Sequence, residues 1–415
     1  MNKSLKKSYL IFIWHGFFLT LTMSMIDFNT VFPSLVSTLI ESKIIFGLLY
    51  SIMLGAPKIF NIVFSHYMNA YDYRKKFLLI GIYLRAFSFL GMAVFTYYFG
   101  SSSPQVVIIS FFFWVLLFSI SGGFASISYG DIIAKTVAKE DRGKLYASKQ
   151  FAASLAAFAG GMVVQNIFSG DAFAFPLNYS LTLFIGFVGL LIAAVAFWLI
   201  EEPASVNKDE DLLSLKEYIK KVPGILKGDK NFASFIIIEN MASFSLMLLP
   251  FYIVYAKDSF GIGADYIGRY LLFQIAGTIL SNLLWGYISD KLNSQAVVRI
   301  CILGGAVIPI IALILSNFGP ETYSIIFFLI GFLISGRKVG FEPYLLEIAP
   351  DDRTTVYLGI RGTLNFLVVF LPLLGGIFID FLGYLFTFII VSAVMFTAYY
   401  LLRREINEDK KLSQN

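Results

Sequence analysis

The 415-residue chain has few charged residues: Asp, Glu, Lys and Arg make up 14% of it, against about 25% in soluble domains. It has one cysteine, Cys301, and two histidines, His15 and His66. These numbers exclude an intrachain disulfide, a cysteine-cluster metal site and a histidine-rich metal site, and we predict neither a metal nor a cofactor. The motifs G-x-x-x-x-G-K-[ST], H-E-x-x-H and G-x-S-x-G are also absent, so the sequence is not predicted to be an enzyme.

What the chain does have is apolar surface. Hydrophobic residues make up 58% of the sequence, which contains 44 Phe and 23 Tyr, and the mean hydropathy is +0.76. A chain of this composition is neither a soluble globular enzyme, nor a disordered segment, nor a nucleic-acid binder. Because long apolar runs are costly to leave in water, the composition predicts a protein embedded in a lipid bilayer.

Twelve apolar runs are close to the length of about 20 residues that a helix needs to cross the hydrocarbon of a membrane. We expect helices, because an open strand edge would leave backbone groups without hydrogen bonds in lipid. The predicted fold class is therefore an all-α polytopic membrane protein with twelve transmembrane helices. The predicted spans are 9–32, 44–66, 77–99, 105–131, 147–168, 179–200, 232–256, 266–288, 297–317, 322–346, 356–379 and 382–402.

The positions of Lys and Arg agree with this count. If the N-terminus is inside and the spans alternate, 25 of these residues fall in inner segments, and only Lys43 and Lys257 fall in outer loops. Lys149 and Arg361 belong to the inner set in this count. The asymmetry predicts an integral protein of the cell (plasma or inner) membrane with both termini in the cytoplasm.

The longest polar stretch separates two halves of six spans. We predict an N-terminal bundle at 1–200, a cytoplasmic linker at 201–231 and a C-terminal bundle at 232–415. Within the linker, Leu212, Leu215, Ile219 and Val222 recur at helical spacing. This pattern indicates a short amphipathic helix on the inner membrane surface, with a solvated linker helix as the alternative.

The two halves repeat one another at a constant offset of 211 residues. Asp131, Asp141, Arg142 and Tyr146 align in this way with Glu342, Asp352, Arg353 and Tyr357. Internal repeats of spanning segments are typical of secondary transporters, whose solute site lies between the repeats.

A loop motif extends this pattern to a known family. The segment Gly286-Tyr-Ile-Ser-Asp290-Lys291-Leu-Asn293 and the weaker copy from Ser65 to Lys75 resemble the loop signature of the major facilitator superfamily. The resemblance implies two six-helix bundles and a loop that joins them on the inner side when the carrier faces outwards. We expect this gating role for Asp290 and Lys291, paired with Glu342 and Glu347, and for Arg74, paired with Asp131. The alternative for the basic residues is anchoring by the positive-inside rule.

The first span contains the segment Met25-Ile-Asp27-Phe-Asn29-Thr30-Val-Phe-Pro33, which resembles a motif of the drug and metabolite:proton antiporter branch of that superfamily. Asp27 lies about 27 Å from the inner end of the span. The resemblance implies that Asp27 accepts protons from the outer side or contacts a cation. The alternative is an interfacial carboxylate with no such role.

Charged residues inside predicted spans are costly and are therefore candidates for function. His15, Lys58, Arg85, Glu239, Arg337 and Lys338 lie about 9–12 Å from the inner face, with a formal sum of +3 if His15 is neutral. We expect the solute to contact Arg337, Lys338, Lys58, Arg85 and Tyr129, and proton coupling to involve Asp27, Glu239 and His15.

Each of these expectations has an alternative. Glu239 can pair with a basic residue in its bundle, and Lys338 can pair with Glu342 one turn away. Lys58 and Arg85 can extend towards the interface, and Tyr129 can serve in packing.

The sequence therefore predicts a monomeric secondary active transporter in the lipid bilayer that moves a small organic solute by alternating access. The layer of positive charge favours an anionic or zwitterionic solute, with protons or another ion as the coupling ion. A proton antiporter for drugs or amphiphilic cations is the first alternative, and a non-transporting membrane receptor or scaffold is the second. No nucleic acid is expected as a partner.

Overall fold

The computed structural model describes residues 3–68, 71–170, 172–204, 215–350 and 354–414. These residues form helices and no strand, which confirms the predicted fold class. The chain divides into two compact units. Unit 1 comprises residues 1–210 and 262–272, and unit 2 comprises residues 211–261 and 273–415.

Unit 1 is built from the first seven helices. In it, α1 packs against α6 and α7, α4 packs against α5 and α7, and α3 packs against α5. The helices are α1 (Lys3–Met25), α2 (Val31–Leu39), α3 (Lys43–Met68), α4 (Lys75–Phe99), α5 (Pro104–Thr136), α6 (Lys139–Ser169) and α7 (Leu177–Trp198).

Unit 2 contains the remaining helices, except that the first residues of α12 are grouped with unit 1. Within it, α13 packs against α14 and α16, and α10 packs against α16. A short 3₁₀ helix, Asn365–Phe370, connects α15 and α16. The helices are α8 (Leu215–Gly228), α9 (Lys230–Ala242), α10 (Phe244–Leu248), α11 (Phe251–Phe260), α12 (Asp265–Lys291), α13 (Ser294–Leu315), α14 (Pro320–Ile348), α15 (Thr354–Leu364) and α16 (Leu371–Gln414).

Ten described segments are long and apolar enough to cross a membrane. The last of them, Val356–Arg404, has 49 residues and contains Gly383 at φ 76° and ψ 172°. Because a positive φ is adopted readily by glycine alone, Gly383 marks the turn between the two predicted spans 356–379 and 382–402. The predicted span 44–66 corresponds to α3, which is not among the ten. The described helices therefore agree with twelve predicted spans.

The predicted linker contributes a helix, α8, which runs from Leu215 to Gly228. Leu212 and the rest of 205–214 lie outside the described residues. The amphipathic character of this segment and the three predicted domain ranges stay predictions.

Two spans are interrupted where polar side chains bond to the backbone. Asp27 accepts hydrogen bonds from the backbone N–H of Asn29 (3.0 Å) and the hydroxyl of Thr30 (2.8 Å) between α1 and α2. Ser243 donates to the carbonyl of Glu239 (2.8 Å) where α9 ends. Such local side-chain bonds compete with regular helical bonds, and they lie at the places where the first and seventh predicted spans are divided into shorter helices.

Candidate functional site

The first group of predicted residues lies inside unit 1, where α1, α5 and α6 meet. Lys149 of α6 donates from Nζ to the hydroxyl of Tyr129 on α5, at 2.7 Å. The ring of His15 on α1 lies 5.5 Å from the ring of Tyr129, centroid to centroid. We call His15, Tyr129 and Lys149 the unit 1 cluster. His15 itself is buried, and its Nδ1 lies 3.4 Å from the carbonyl oxygen of Ala193.

Gly16 determines how closely Lys149 can approach α1. A Cβ at this position would lie 2.7 Å from Cγ of Lys149, so a larger residue would displace the lysine stem. The absence of a side chain at Gly16 therefore allows a lysine on α6 to lie directly against α1. Small residues permit this kind of close helix approach in membrane proteins.

Arg85 on α4 is the second basic group within the spans of unit 1. Its guanidinium lies 4.3 Å from the ring centroid of Phe118, and Nη2 is 3.9 Å from Sδ of Met23. Its Nε is buried without a hydrogen-bond partner. Among the described residues, no carboxylate oxygen lies within 4.0 Å of a charged nitrogen of Arg85 or Lys149. Both positive charges are therefore left without a carboxylate partner in the described part of unit 1.

Unit 2 presents a different arrangement, in which Glu239 of α9 binds Arg361 of α15. Nε of Arg361 donates to both carboxylate oxygens at 2.9 Å, and Nη2 donates to Oε1 at 2.6 Å. Glu239 is 3% exposed. The geometry is that of a fork-like arginine–carboxylate pair, which is stronger than a bond between neutral groups.

Arg337 of α14 lies at the interrupted seventh span, at the carbonyl end of α9. Its Nη1 donates to the carbonyl of Ala242 at 2.9 Å, and its Nη2 donates to Oγ of Ser243 at 3.2 Å. The guanidinium also lies 4.7 Å from the ring centroid of Phe341. Because the carbonyl end of a helix carries partial negative charge, Arg337 stabilises the break in this span. We call Glu239, Arg337 and Arg361 the unit 2 cluster.

The two clusters occupy related positions in the sequence repeat. Both clusters draw on the first, fourth and fifth predicted spans of their halves. With the offset of 211, Lys149 falls one residue from Arg361, and Tyr129 falls three residues, about one helical turn, from Arg337. His15 and Glu239 occupy the corresponding part of the first span of each half. The first span thus contributes a histidine to the unit 1 cluster and a glutamate to the unit 2 cluster, although the offset of 211 places His15 thirteen residues before Glu239.

One predicted gating pair is present in unit 1. Nη1 of Arg74 lies 3.1 Å from a carboxylate oxygen of Asp131. Lys135 also contacts Asp131 (2.6 Å) and reaches Glu202 (2.9 Å). The carboxylate of Glu202 accepts the backbone N–H of Arg74 and of Lys75 at 2.7–2.9 Å, at the start of α4. A negative charge at this end of a helix is stabilising. The gating role of Arg74 and Asp131 stays a prediction.

A surface ion pair lies close by. Lys7 Nζ is 2.7 Å from a carboxylate oxygen of Glu201, which follows α7. The hydrogen bond and charge of Lys7 lower the pKa of this exposed carboxyl below its ordinary value.

Within the described part of unit 2, the predicted gating pairs of the second half are not formed. Asp290, Lys291, Glu342 and Glu347 are exposed, and no ion pair joins them within the described ranges. Instead, Glu347 accepts the backbone N–H of Ser294 at 3.3 Å. The physical reason is that α12 ends at Lys291 and Asn293 caps α13 by accepting the N–H of Ala296. The carboxylate therefore meets the backbone at the start of α13.

The other predicted residues are not part of the two clusters as defined above. Lys58 and Lys338 are exposed. Lys338 forms no ion pair with Glu342 among the described residues, although the two are one turn apart on α14. The carboxylate of Asp27 caps the break between α1 and α2, as described above, and its role in proton coupling stays a prediction.

Comparison with known proteins identifies the family. The model of the Major Facilitator Superfamily matches residues 14–371, and a second match covers 235–415. The chain belongs to the Major Facilitator Superfamily. Members of this superfamily are membrane transporters, so the resemblance found in the loop motifs is confirmed.

Solved structures of the superfamily share the fold at low sequence identity. A mutant of the nucleoside transporter NupG superposes with a TM-score of 0.72 at 14% identity, covering 95% of this chain and 99% of that one. A D-xylose-proton symporter gives 0.64 at 17% identity, covering 96% and 95%. A bacterial homologue of the iron transporter ferroportin, in an inward-facing state, gives 0.65 at 14% identity, covering 97% and 99%.

One relative is similar in sequence. It is an uncharacterized protein of Aquifex aeolicus (strain VF5), 24% identical over 258 residues. The match covers 61% of this chain and about 60% of the length of that protein.

Membership in the superfamily is visible in the sequence, but four residues of the sites described above are not predicted from it: Lys135, Lys149, Glu202 and Arg361. Lys149 and Arg361 were counted with the inner loops because they lie near the first residues of predicted spans. Glu202 was not singled out within the polar segment that follows the sixth span. The spacing of Asp131 and Lys135, which are four residues apart on one helix, was a signal for their ion pair.

Proposed function

We propose that the protein is a secondary active transporter that moves a small organic anion or zwitterion through the cell membrane by alternating access, coupled to protons. Its membership in the superfamily and its apolar helices support membrane transport. The observation that carries the choice of solute is the charge inside the spans. Lys149 and Arg85 lack a carboxylate partner among the described residues, so an anionic group on the solute would neutralise them.

In this proposal, the ion pair Glu239–Arg361 couples transport to protons. Glu239 holds Arg361 in the empty transporter through three hydrogen bonds. Protonation of Glu239 removes its negative charge and weakens its hold on the guanidinium. Arg361 then has donors available for an anion within unit 2, so binding of a proton and binding of an anion are linked.

The experiment for this coupling uses reconstituted liposomes and the substitution Glu239→Gln. Glutamine keeps the shape of the side chain but cannot release a proton. We expect uptake of an organic anion such as succinate by the wild type to rise when the outer solution is acidified. Glu239→Gln is expected to exchange solute across the membrane but to lose at least tenfold in proton-driven accumulation, whereas the exposed Glu140→Gln behaves as the wild type.

Retained proton-driven accumulation in Glu239→Gln would contradict the role of this pair. The proposed transport would be contradicted if the liposomes take up no succinate, organophosphate or amino acid. In that case, proton movement would also be the same with and without each of these solutes. That second result favours the receptor or scaffold alternative.

The antiporter alternative depends on Asp27. The two hydrogen bonds that its carboxylate accepts support a role in shaping the break between α1 and α2. We therefore expect Asp27→Asn to keep proton-coupled anion uptake. Loss of proton exchange against an amphiphilic cation such as ethidium in this variant would favour the antiporter.

The orientation and assembly belong to the same proposal. The excess of Lys and Arg in alternate segments supports cytoplasmic N- and C-termini in the cell membrane. We propose a monomer, since each unit buries its own apolar core.

A further inference from the structure

We propose that Lys149 and Tyr129 form a subsite within unit 1 that binds the anionic group of the solute, a carboxylate or a phosphate. The inference rests on the proposed function. That function requires the anionic group of a solute to bind between the spanning helices, and the inference names the two side chains that bind it. Neither residue type nor spacing singled out Lys149 in the sequence.

The first support is the number of free donors on Lys149. An ammonium group has three N–H donors, and one of them goes to Tyr129 at 2.7 Å. The ring of Tyr129 lies 4.5 Å and the ring of Tyr146 5.6 Å from the same nitrogen. With no carboxylate within 4.0 Å among the described residues, two donors are left for an anion.

The second support is the state of Tyr129. A tyrosine hydroxyl that accepts a hydrogen bond from lysine still carries its own hydrogen to donate. The ring is held in place by edge contacts with Phe12 and Phe197, at centroid distances of 5.5 and 6.0 Å, and by the ring of His15. The ammonium group of Lys149 and the hydroxyl of Tyr129 thus lie next to each other, and the tyrosine ring is held in place. Two adjacent donors can bind two oxygens of one carboxylate or phosphate.

The third support is the position of the lysine. Lys149 lies ten residues after the first residue of α6, about 15 Å along the helix axis. Its stem lies against the bare backbone at Gly16, where any Cβ would collide with it. The side chain is therefore directed across the helix interface towards α1, which a lysine serving only to contact lipid headgroups does not require.

The fourth support comes from the repeat. Arg361, one residue from the position aligned with Lys149, is neutralised by Glu239 from the first span of its half, whereas the first span of unit 1 contributes His15 to the cluster. Unit 1 thus keeps the cation of the repeat without its acidic partner. The anionic group of the solute would supply the missing negative charge, and the nearby charge of Arg85 adds to the attraction.

The test measures binding without transport. The melting temperature of the purified protein is recorded with rising sodium succinate, inorganic phosphate, or sodium chloride at matched ionic strength. A ligand that binds only the folded protein raises this temperature. We expect succinate or phosphate to stabilise the wild type beyond chloride, and the more effective of the two identifies the anion class as carboxylate or phosphate.

Substitutions then locate the site. Lys149→Gln is expected to raise the half-saturating concentration of the effective anion about tenfold to a hundredfold, as for loss of a charged hydrogen-bond partner. Lys149→Arg keeps the positive charge, so it is expected to change the half-saturating concentration less than Lys149→Gln does. The matched control is Lys144→Gln on the same helix, whose side chain is 81% exposed and which is expected to bind as the wild type.

Two outcomes would overturn the subsite: neither anion stabilises the wild type beyond chloride, or Lys149→Gln binds as tightly as the wild type. If Lys149→Gln does not fold, Tyr129→Phe decides, because it removes one donor and is expected to weaken binding about fivefold. Unchanged binding in Tyr129→Phe then overturns the proposal. If anion binding requires Lys149 but no proton-coupled uptake is found, the transport function alone is overturned. If proton-coupled uptake is found but anion binding does not depend on Lys149, the subsite alone is overturned.

Discussion

Arg337 and Lys149 are both basic residues inside predicted spans, yet their surroundings differ. Arg337 uses two donors on the backbone and hydroxyl at the end of α9. Among the residues that the structure describes, Lys149 has one hydrogen-bond partner, a tyrosine hydroxyl. The same charge therefore stabilises the protein at one position and is available to a ligand at the other, and the partners decide which.

This contrast predicts how Arg337→Ala behaves. The substitution leaves the end of α9 without its positive charge, and we expect a loss of about 1.5–3 kcal/mol in the free energy of unfolding, as for hydrogen bonds to charged groups. The half-saturating concentration of a transported anion should change less than twofold. Denaturation in mild detergent and an uptake assay measure the two quantities. Unchanged stability together with lost anion binding would support the solute-binding role predicted from the sequence.

At the scale of the element, an interrupted helix contributes to the unit 2 cluster. The span that begins at α9 ends its first helix at Ala242, which exposes the carbonyl that Arg337 binds. The start of α9 is equally specific: Asp229 accepts the backbone N–H of Phe232 at 2.9 Å and the hydroxyl of Tyr357 on α15 at 2.7 Å. This carboxylate links the start of α9 to α15, in addition to the contact between Glu239 and Arg361.

Asp229→Ala removes both bonds. We expect a loss of about 2 kcal/mol in stability, from roughly 1 kcal/mol for a helix cap and a similar amount for the hydrogen bond. Asp229→Asn keeps an acceptor for Phe232 and should lose less, and Tyr357→Phe should lose about half as much as Asp229→Ala. Equal stability of Asp229→Ala and the wild type in chemical denaturation would show that neither bond contributes.

At the scale of the whole molecule, the repeat builds two units of related plan but different charge. Unit 2 neutralises one of its arginines with Glu239, and unit 1 retains Lys149 and Arg85 without carboxylates among the described residues. Unit 1 also has the charged network of Arg74, Asp131, Lys135 and Glu202, whose predicted counterpart in unit 2 is not formed among the described residues.

That network predicts unequal effects of its members. Asp131 contacts both Arg74 and Lys135, so Asp131→Asn should destabilise unit 1 more than Arg74→Gln does. The double substitution should cost less than the sum of the two, with a coupling energy of about 0.5–3 kcal/mol. Thermal unfolding of the four proteins of this cycle measures the coupling. Strict additivity would show that the ion pair at 3.1 Å contributes nothing to stability.

Particular residues show how far the sequence could be interpreted. The pairing of Arg74 with Asp131 was predictable, because both follow from a loop motif and a repeat that are visible along the chain. The pairing of Glu239 was expected only as one of several options, and its partner Arg361 was assigned to a loop. Lys149 and Arg361 lie two and five residues after the first residues of the predicted spans 147–168 and 356–379, so the charge count groups them with the inner segments, whereas the structure places them within α6 and α15.

By itself, the sequence determined the all-α membrane fold, the approximate number of spans and the family, because lipid imposes length and polarity on each segment separately. Only the tertiary structure decided that Glu239 binds Arg361, that Arg337 caps a helix end and that Lys149 lies against Gly16. Those outcomes depend on the rotation of each helix about its axis and on the places where helices break. Both are set by contacts between segments far apart in the chain.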